Sequence, residues 1–197
     1  MKALTAIILL GLVASNASGE PRRSYRLAGD RVTLEVDGSW QEVRAKEGES
    51  VSFQIPNPAD EDTPDSANAT IVARTLGKEP FEDRIARVTA KLAVVTRLPK
   101  AANSNDVLLV SRGKQGDTPY MVVDRLARRS GVEIHIRVAW PILPATTADW
   151  QSQLVEATNQ LISGVAVDAT PIGVVGKVVE RGIEQDGKVV RVIEAVE

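Results

Sequence analysis

The sequence predicts an α+β fold in which amphipathic helices lie on a β-sheet built around one long hairpin. Three observations predict it. Val132, Ile134, Ile136, Val138 and Trp140 alternate with Glu133, His135, Arg137 and Ala139, the period of two that marks a strand with one buried and one wetter face. A second apolar run, Tyr120 to Ala127, precedes it across the turn-prone Arg129-Ser130-Gly131. Two other stretches carry the helical period instead: Phe81, Ile85, Val88, Leu92 and Val95, and Trp150, Leu154, Ala157 and Leu161.

Taken in order, the chain opens Met1-Lys2, continues with an apolar run to Val13 and then with small residues to Gly19. That order of basic, apolar and small residues predicts a secretory signal peptide over residues 1–19, with cleavage after Ala17 or Gly19; an uncleaved anchor is the alternative. Glu20 to Ser24 reads as a polar lead-in. Arg31 to Val36 is a strand whose Val32, Leu34 and Val36 share a face, closed by the Asp37-Gly38 turn ahead of Trp40. Glu49 to Pro56 alternates again and stops at a proline, which cannot donate to a ladder. Asn57 to Ser66 is an acidic loop interrupted by prolines, and Ala69 to Thr75 is the next strand.

Proline at position 80 suits the first turn of a helix, and the Phe81 to Val95 stripe predicts a helix lying flat on the sheet. Residues 100–105 form a polar loop, residues 106–112 a strand, and residues 113–118 a turn into the hairpin. After Trp140, Pro141 and Pro144 end the sheet, and Thr146-Thr147 with Asp149 offers a capping hydroxyl and a first-turn acid for a helix ending near Ser163-Gly164. Residues 168–197 are valine-rich and carry Asp186-Gly187, which predicts a β-hairpin extension to a single domain over residues 20–167.

Composition narrows the function classes. Twenty-four lysines and arginines against 26 acids leave a net charge of −2, so no long-range field favours nucleic acid. The absence of cysteine excludes disulfides, thiolate metal sites and a lipid-modified cysteine. His135 is the sole histidine, which excludes a metal site built on paired histidines; between Glu133 and Arg137 it reads as a residue on the solvent side of the sheet. Ser111-Arg112-Gly113-Lys114 has the Ser-x-x-Lys spacing of penicillin-recognising enzymes, but it runs from a strand into a glycine turn and lacks the companion motifs. Gly176-Lys177 lacks the rest of a phosphate loop. The acidic run through Asp60, Glu61, Asp62 and Asp65 lacks the glycine and terminal glutamate of an EF-hand; it reads as a solvated loop, with a weak calcium or partner contact as the alternative. Asn68-Ala69-Thr70 is a sequon that matters only in a eukaryotic secretory pathway.

Arg125, Arg128 and Arg129 cluster at the hairpin turn, where exposed charge either blocks edge pairing or receives an acidic partner. With Asp60, Glu61 and Asp62 they are the candidate partner-contact residues. No catalytic, cofactor or metal residue is predicted. Trp40, Trp140 and Trp150 are candidates for lining a ligand pocket between sheet and helix, although large buried aromatics more often form core.

Two amino-terminal strands around Gly38-Ser39-Trp40, the helix from Phe81, the strands ending in a hairpin, and a last helix with Trp150, Leu161, Ile162 and Ser163 resemble the PsbP-like fold. That fold is shared by the photosystem subunit PsbP, the Ran-binding Mog proteins and bacterial DcrB-type exported proteins. The resemblance covers residues 31–167 and implies a central antiparallel sheet sandwiched by helices. It also implies a protein that binds other proteins or steadies an assembly. DcrB-type proteins are often anchored through a lipidated cysteine that this chain lacks, and the valine-rich tail is outside the common core. The expectation is a non-enzymatic periplasmic or secreted protein with a protein partner in the cell envelope, no cofactor, and no membrane span after signal removal. Alternatives are a small-ligand-binding protein and a hydrolase whose nucleophile and base are not visible.

Overall fold

The computed structural model describes residues 21–46, 49–57, 66–98, 104–143, 146–173, 177–185 and 188–196. The predicted signal peptide and the acidic loop lie outside the described residues. Antiparallel strands and two helices make up the described residues, an α+β fold as the sequence predicts.

The hairpin is formed by β8 (Thr118–Arg129) and β9 (Val132–Pro141) around a two-residue turn. Ser130 and Gly131 there have φ of 49° and 72°, the left-handed pair that matches the twist of the flanking strands. Five further strands complete a seven-stranded sheet. They are β3 (Gln41–Lys46), β4 (Ser50–Pro56), β5 (Ser66–Thr75), β6 (Ala93–Leu98) and β7 (Asp106–Gln115), in the spatial order β3-β4-β5-β9-β8-β7-β6. The hairpin therefore sits at the centre.

Alternation then fixes what each face carries. Leu108 and Val110 of β7 enter the main core, whereas Val107 and Leu109, pointing the other way, enter a smaller cluster. The main core takes the apolar side of β9 from Val132 to Trp140. It is covered by Trp150, Leu154, Val155 and Leu161 of α2 (Ala148–Ser163), and by a small sheet of β1 (Arg23–Leu27), β2 (Val32–Val36), β10 (Ala166–Val167) and β11 (Thr170–Pro171). Phe53 is the hub of its aromatic part, with Tyr25 at 5.2 Å and Trp40 at 5.9 Å, both edge to face. Ile172 still belongs to this core.

Helix α1 (Phe81–Thr89) covers the opposite face. Its Ile85 packs with Val107, Leu109 and Leu126, flanked by Phe81 and Val88. One expectation is corrected here. The stripe from Phe81 to Val95 is helical only to Thr89, and Val94 and Val95 are exposed residues of the edge strand β6. Helix α1 lies on the polar face of β9, opposite α2. Strands β1, which begins in the supposed lead-in, β3, β6, β10 and β11 escaped the reading.

The predicted cap of α2 is present, with the Thr147 hydroxyl accepting from the Trp150 amide at 3.2 Å. Thr147→Ala is expected to cost about 1 kcal/mol, read as a lower urea midpoint at constant slope. In the tail, β12 (Lys177–Gln185) pairs with β13 (Lys188–Val196) as a separate two-stranded sheet, β12 lying against α2 and β13 against β6.

Candidate functional site

The polar face of the central strands holds an ion network under α1. Cross-strand register places Glu133 of β9 between Arg128 of β8 and Arg74 of β5. One carboxylate oxygen accepts from Arg74 Nη2 at 2.7 Å and Arg84 Nε at 2.9 Å, the second of these reaching down from α1. The other oxygen takes both Nε and Nη2 of Arg128, at 2.9 and 2.7 Å. Arg128 also donates to the Glu79 carbonyl at 2.8 Å and lies 5.0 Å over the Phe81 ring. Farther along the strands, Asp124 accepts from Arg137 Nε at 2.7 Å and lies 2.7 Å from His135 Nε2. Arg137 reaches the Val88 carbonyl of α1 as well.

Both carboxylates are almost fully buried, with side chains 2% and 0% exposed for Glu133 and Asp124. Burial opposes the ionisation of Glu133, but hydrogen bonds from Arg128 and Arg74 and the charges of Arg74 and Arg84 outweigh it and hold the carboxyl below its usual range. Asp124 is held low in the same way, burial being outweighed by hydrogen bonds from His135 and Arg137. A depressed carboxyl adds stability above its unfolded-state pKa and loses it as pH falls through the folded value. Urea unfolding should therefore show a stability plateau at neutral pH and a decline below about pH 4. Asp106 works against this trend. Burial outweighs its pairing with Arg125 and raises its carboxyl, so protonation there favours the fold.

The predicted partner-contact residues separate on this frame. Arg128 is one of the buried arms of the network. Arg125 points to the other face and is 1% exposed, gripping Asp106 at 2.5 and 2.6 Å and the Gly173 carbonyl at 2.9 Å. Arg129 alone lies exposed, donating to the Pro171 carbonyl. Asp60, Glu61 and Asp62 lie outside the described residues. His135 does not face solvent: it lies half-buried against Asp124. Tyrosine, serine or lysine bonded to it, as nucleophilic catalysis would need, is absent among the described residues. Trp40, Trp140 and Trp150 are buried in one core. Trp40 borders a cleft of about 70 Å³, well below the roughly 300 Å³ of small-molecule pockets.

A larger opening lies at the end of the sheet where β7 turns into β8. It encloses about 540 Å³ and is lined by Lys91, Ala93, Arg112, Gly113, Lys114, Pro119, Tyr120 and Ile142. A Cβ at Gly113 would sit 2.7 Å from the end of the Leu92 side chain, which would have to turn aside. Among the described residues no carboxylate lines the groove, and Lys91, Arg112 and Lys114 make no ion pair. Sequence reading had met Arg112 and Lys114 only inside a rejected Ser-x-x-Lys motif. Their excess of unpaired charge beside Gly113 was the available signal.

No protein-family model and no curated protein sequence matches the chain. Among solved structures, the Ran-binding protein Mog1p of Saccharomyces cerevisiae is similar at a TM-score of 0.52 and 10% identity, over 76% of this chain and 96% of that one. LpqN, involved in cell envelope biogenesis of Mycobacterium tuberculosis, is similar at 0.44 and 13% identity, over 76% of this chain and 87% of that one. The fold of this chain is thus the one shared by Mog1 and the PsbP-like proteins.

Proposed function

We propose that this is a non-enzymatic protein of the periplasm or cell exterior that binds a protein partner in the cell envelope, or helps to assemble or stabilise an envelope complex. The observation that carries this reading is how the reactive side chains are used. His135, the one histidine, is held by Asp124 beside Arg137, and Glu133 is joined to Arg128 of the sheet and Arg84 of α1, which fastens that helix to the sheet. Side chains locked this way support a scaffold, and the unpaired cations of the groove supply a surface for contact. Mog1p, whose fold this chain shares, is a Ran-binding protein; a fold alone does not set a function, and the weight rests on the side chains. The envelope location rests on the signal-like residues 1–19. No described helix is long and apolar enough to cross a membrane.

The test is affinity capture from a native envelope extract after chemical crosslinking. Bait should be the chain lacking residues 1–19, used whole and also ended after Gly173, past the last core residue Ile172. A single partner recovered in proportion to the bait is expected. Bait that stays a monomer with nothing crosslinked to it would overturn the reading.

A further inference from the structure

We infer that the groove at the β7–β8 end of the sheet takes an extended acidic segment of the partner protein, with apolar side chains interleaved among its carboxylates. This deepens the protein-binding reading above and rests on it. Charge is the first argument. Among the described residues both buried arginines, Arg84 and Arg125, meet an acid of the chain itself, and Arg22, Arg31, Arg87 and Arg97 do so at the surface. Lys91, Arg112 and Lys114 are brought to one opening from α1's exit and from β7, and among the described residues they meet no such acid. Three unpaired cations in a molecule of net charge −2 form a local anion-seeking site and not a general field.

Shape and chemistry select the ligand class. The groove is open to solvent along one side, and between its cations lie Ala93, Pro119, Ile142 and the half-buried Tyr120. A free phosphate would want converging donors in a closed cradle, whereas this floor is mostly carbon. Val94 and Val95, which follow Ala93 on β6, are 45% and 43% exposed. Carboxylates on the cations and aliphatic groups on that floor are the complement of such a surface. Nucleic acid and anionic membrane would use the same cations without the apolar floor, and both serve as controls.

The probe is a short fluorescein-labelled peptide repeating Glu-Ser-Val-Ser, which when extended carries glutamate and valine on one face, titrated into the full chain and followed by anisotropy. Saturable binding is expected, weakening as salt rises, and falling roughly a hundredfold in a Lys91→Glu, Arg112→Glu, Lys114→Glu variant. These positions are exposed, so the variant should keep the wild-type melting temperature; a milder Arg112→Gln, Lys114→Gln variant should lose affinity in the same direction. Undiminished binding by the charge-reversed variant overturns the assignment. So does tighter binding of inorganic phosphate, a single-stranded DNA oligomer or phosphatidylglycerol vesicles than of the peptide. Crosslinked capture distinguishes this from the reading beneath it. A partner kept by both wild type and the reversed variant removes the groove and leaves protein binding standing, while a partner kept by neither removes protein binding itself.

Discussion

Glu133→Gln is expected to lower the stability of this protein by about 3 to 5 kcal/mol, read from urea unfolding at neutral pH. The reason is what the substitution leaves behind. Glu133 neutralises Arg84 and Arg128, whose side chains are each 10% exposed, and an amide cannot offset two cations held under α1. The loss is a large share of the 5 to 15 kcal/mol or so that keeps a domain folded. Arg74→Ala is expected to cost at most about 1 kcal/mol, because Arg74 is 38% exposed and the two remaining arginines still satisfy the carboxylate. Replacing the whole set, Glu133→Leu with Arg84→Met and Arg128→Met, should recover part of what Glu133→Leu alone loses, since no buried charge is then stranded. A Glu133→Gln protein within 1 kcal/mol of wild type would mean that α1 lifts or water enters, and that the network is ornamental. The acid limb of the stability profile should also flatten in this variant, because one of the depressed carboxyls is gone.

The same network shows where sequence reading reached and where it stopped. Alternation in β9 is carried by strong apolar residues on one side, so the strand, its turn and its core face were all legible. Polar alternation says only that Glu133, His135 and Arg137 avoid an apolar surface, and it cannot distinguish water from arginine. The distinction was nonetheless accessible. A two-residue turn at Ser130-Gly131 sets Arg128 opposite Glu133 and Asp124 opposite Arg137, two opposite-charge pairs that register alone delivers. What register could not deliver was Arg84, which comes from a helix placed by tertiary packing. Helix α1 itself was overextended because Phe81, Ile85, Val88, Leu92 and Val95 keep a helical spacing to the end. Consecutive β-branched Val94 and Val95 favour strand, and the chain turns at Leu92, whose amide bonds the Thr89 carbonyl. Edge strands such as β3 bury little, Val43 being 62% exposed, and so leave a weak pattern. The groove was hidden for a different reason: Lys91 is separated in sequence from Arg112 and Lys114, and only strand pairing between Ala93 and Arg112 brings them together.

Trp140→Ala is expected to cost about 3 to 5 kcal/mol as well, and by a mechanism independent of charge. Trp140 ends the apolar side of β9, opposite Met121, and is fully buried in the main core. Its removal leaves a void that the surrounding strands can close only in part. The indole also carries a liability, since among the described residues its Nε1 has no hydrogen-bond partner. A buried unpaired donor costs roughly 1 to 3 kcal/mol, so Trp140→Phe discards that penalty along with some packing. The phenylalanine variant should therefore lie within about 2 kcal/mol of wild type, far nearer to it than the alanine variant. This comparison also bears on whether the tryptophans serve a ligand. If Trp140 is core, its replacement changes stability and leaves peptide binding at the groove intact, because none of the groove residues is Trp140. A phenylalanine variant as damaged as the alanine one would show that the indole N–H meets a partner in solution, and would return a ligand-lined sheet-to-helix pocket to consideration.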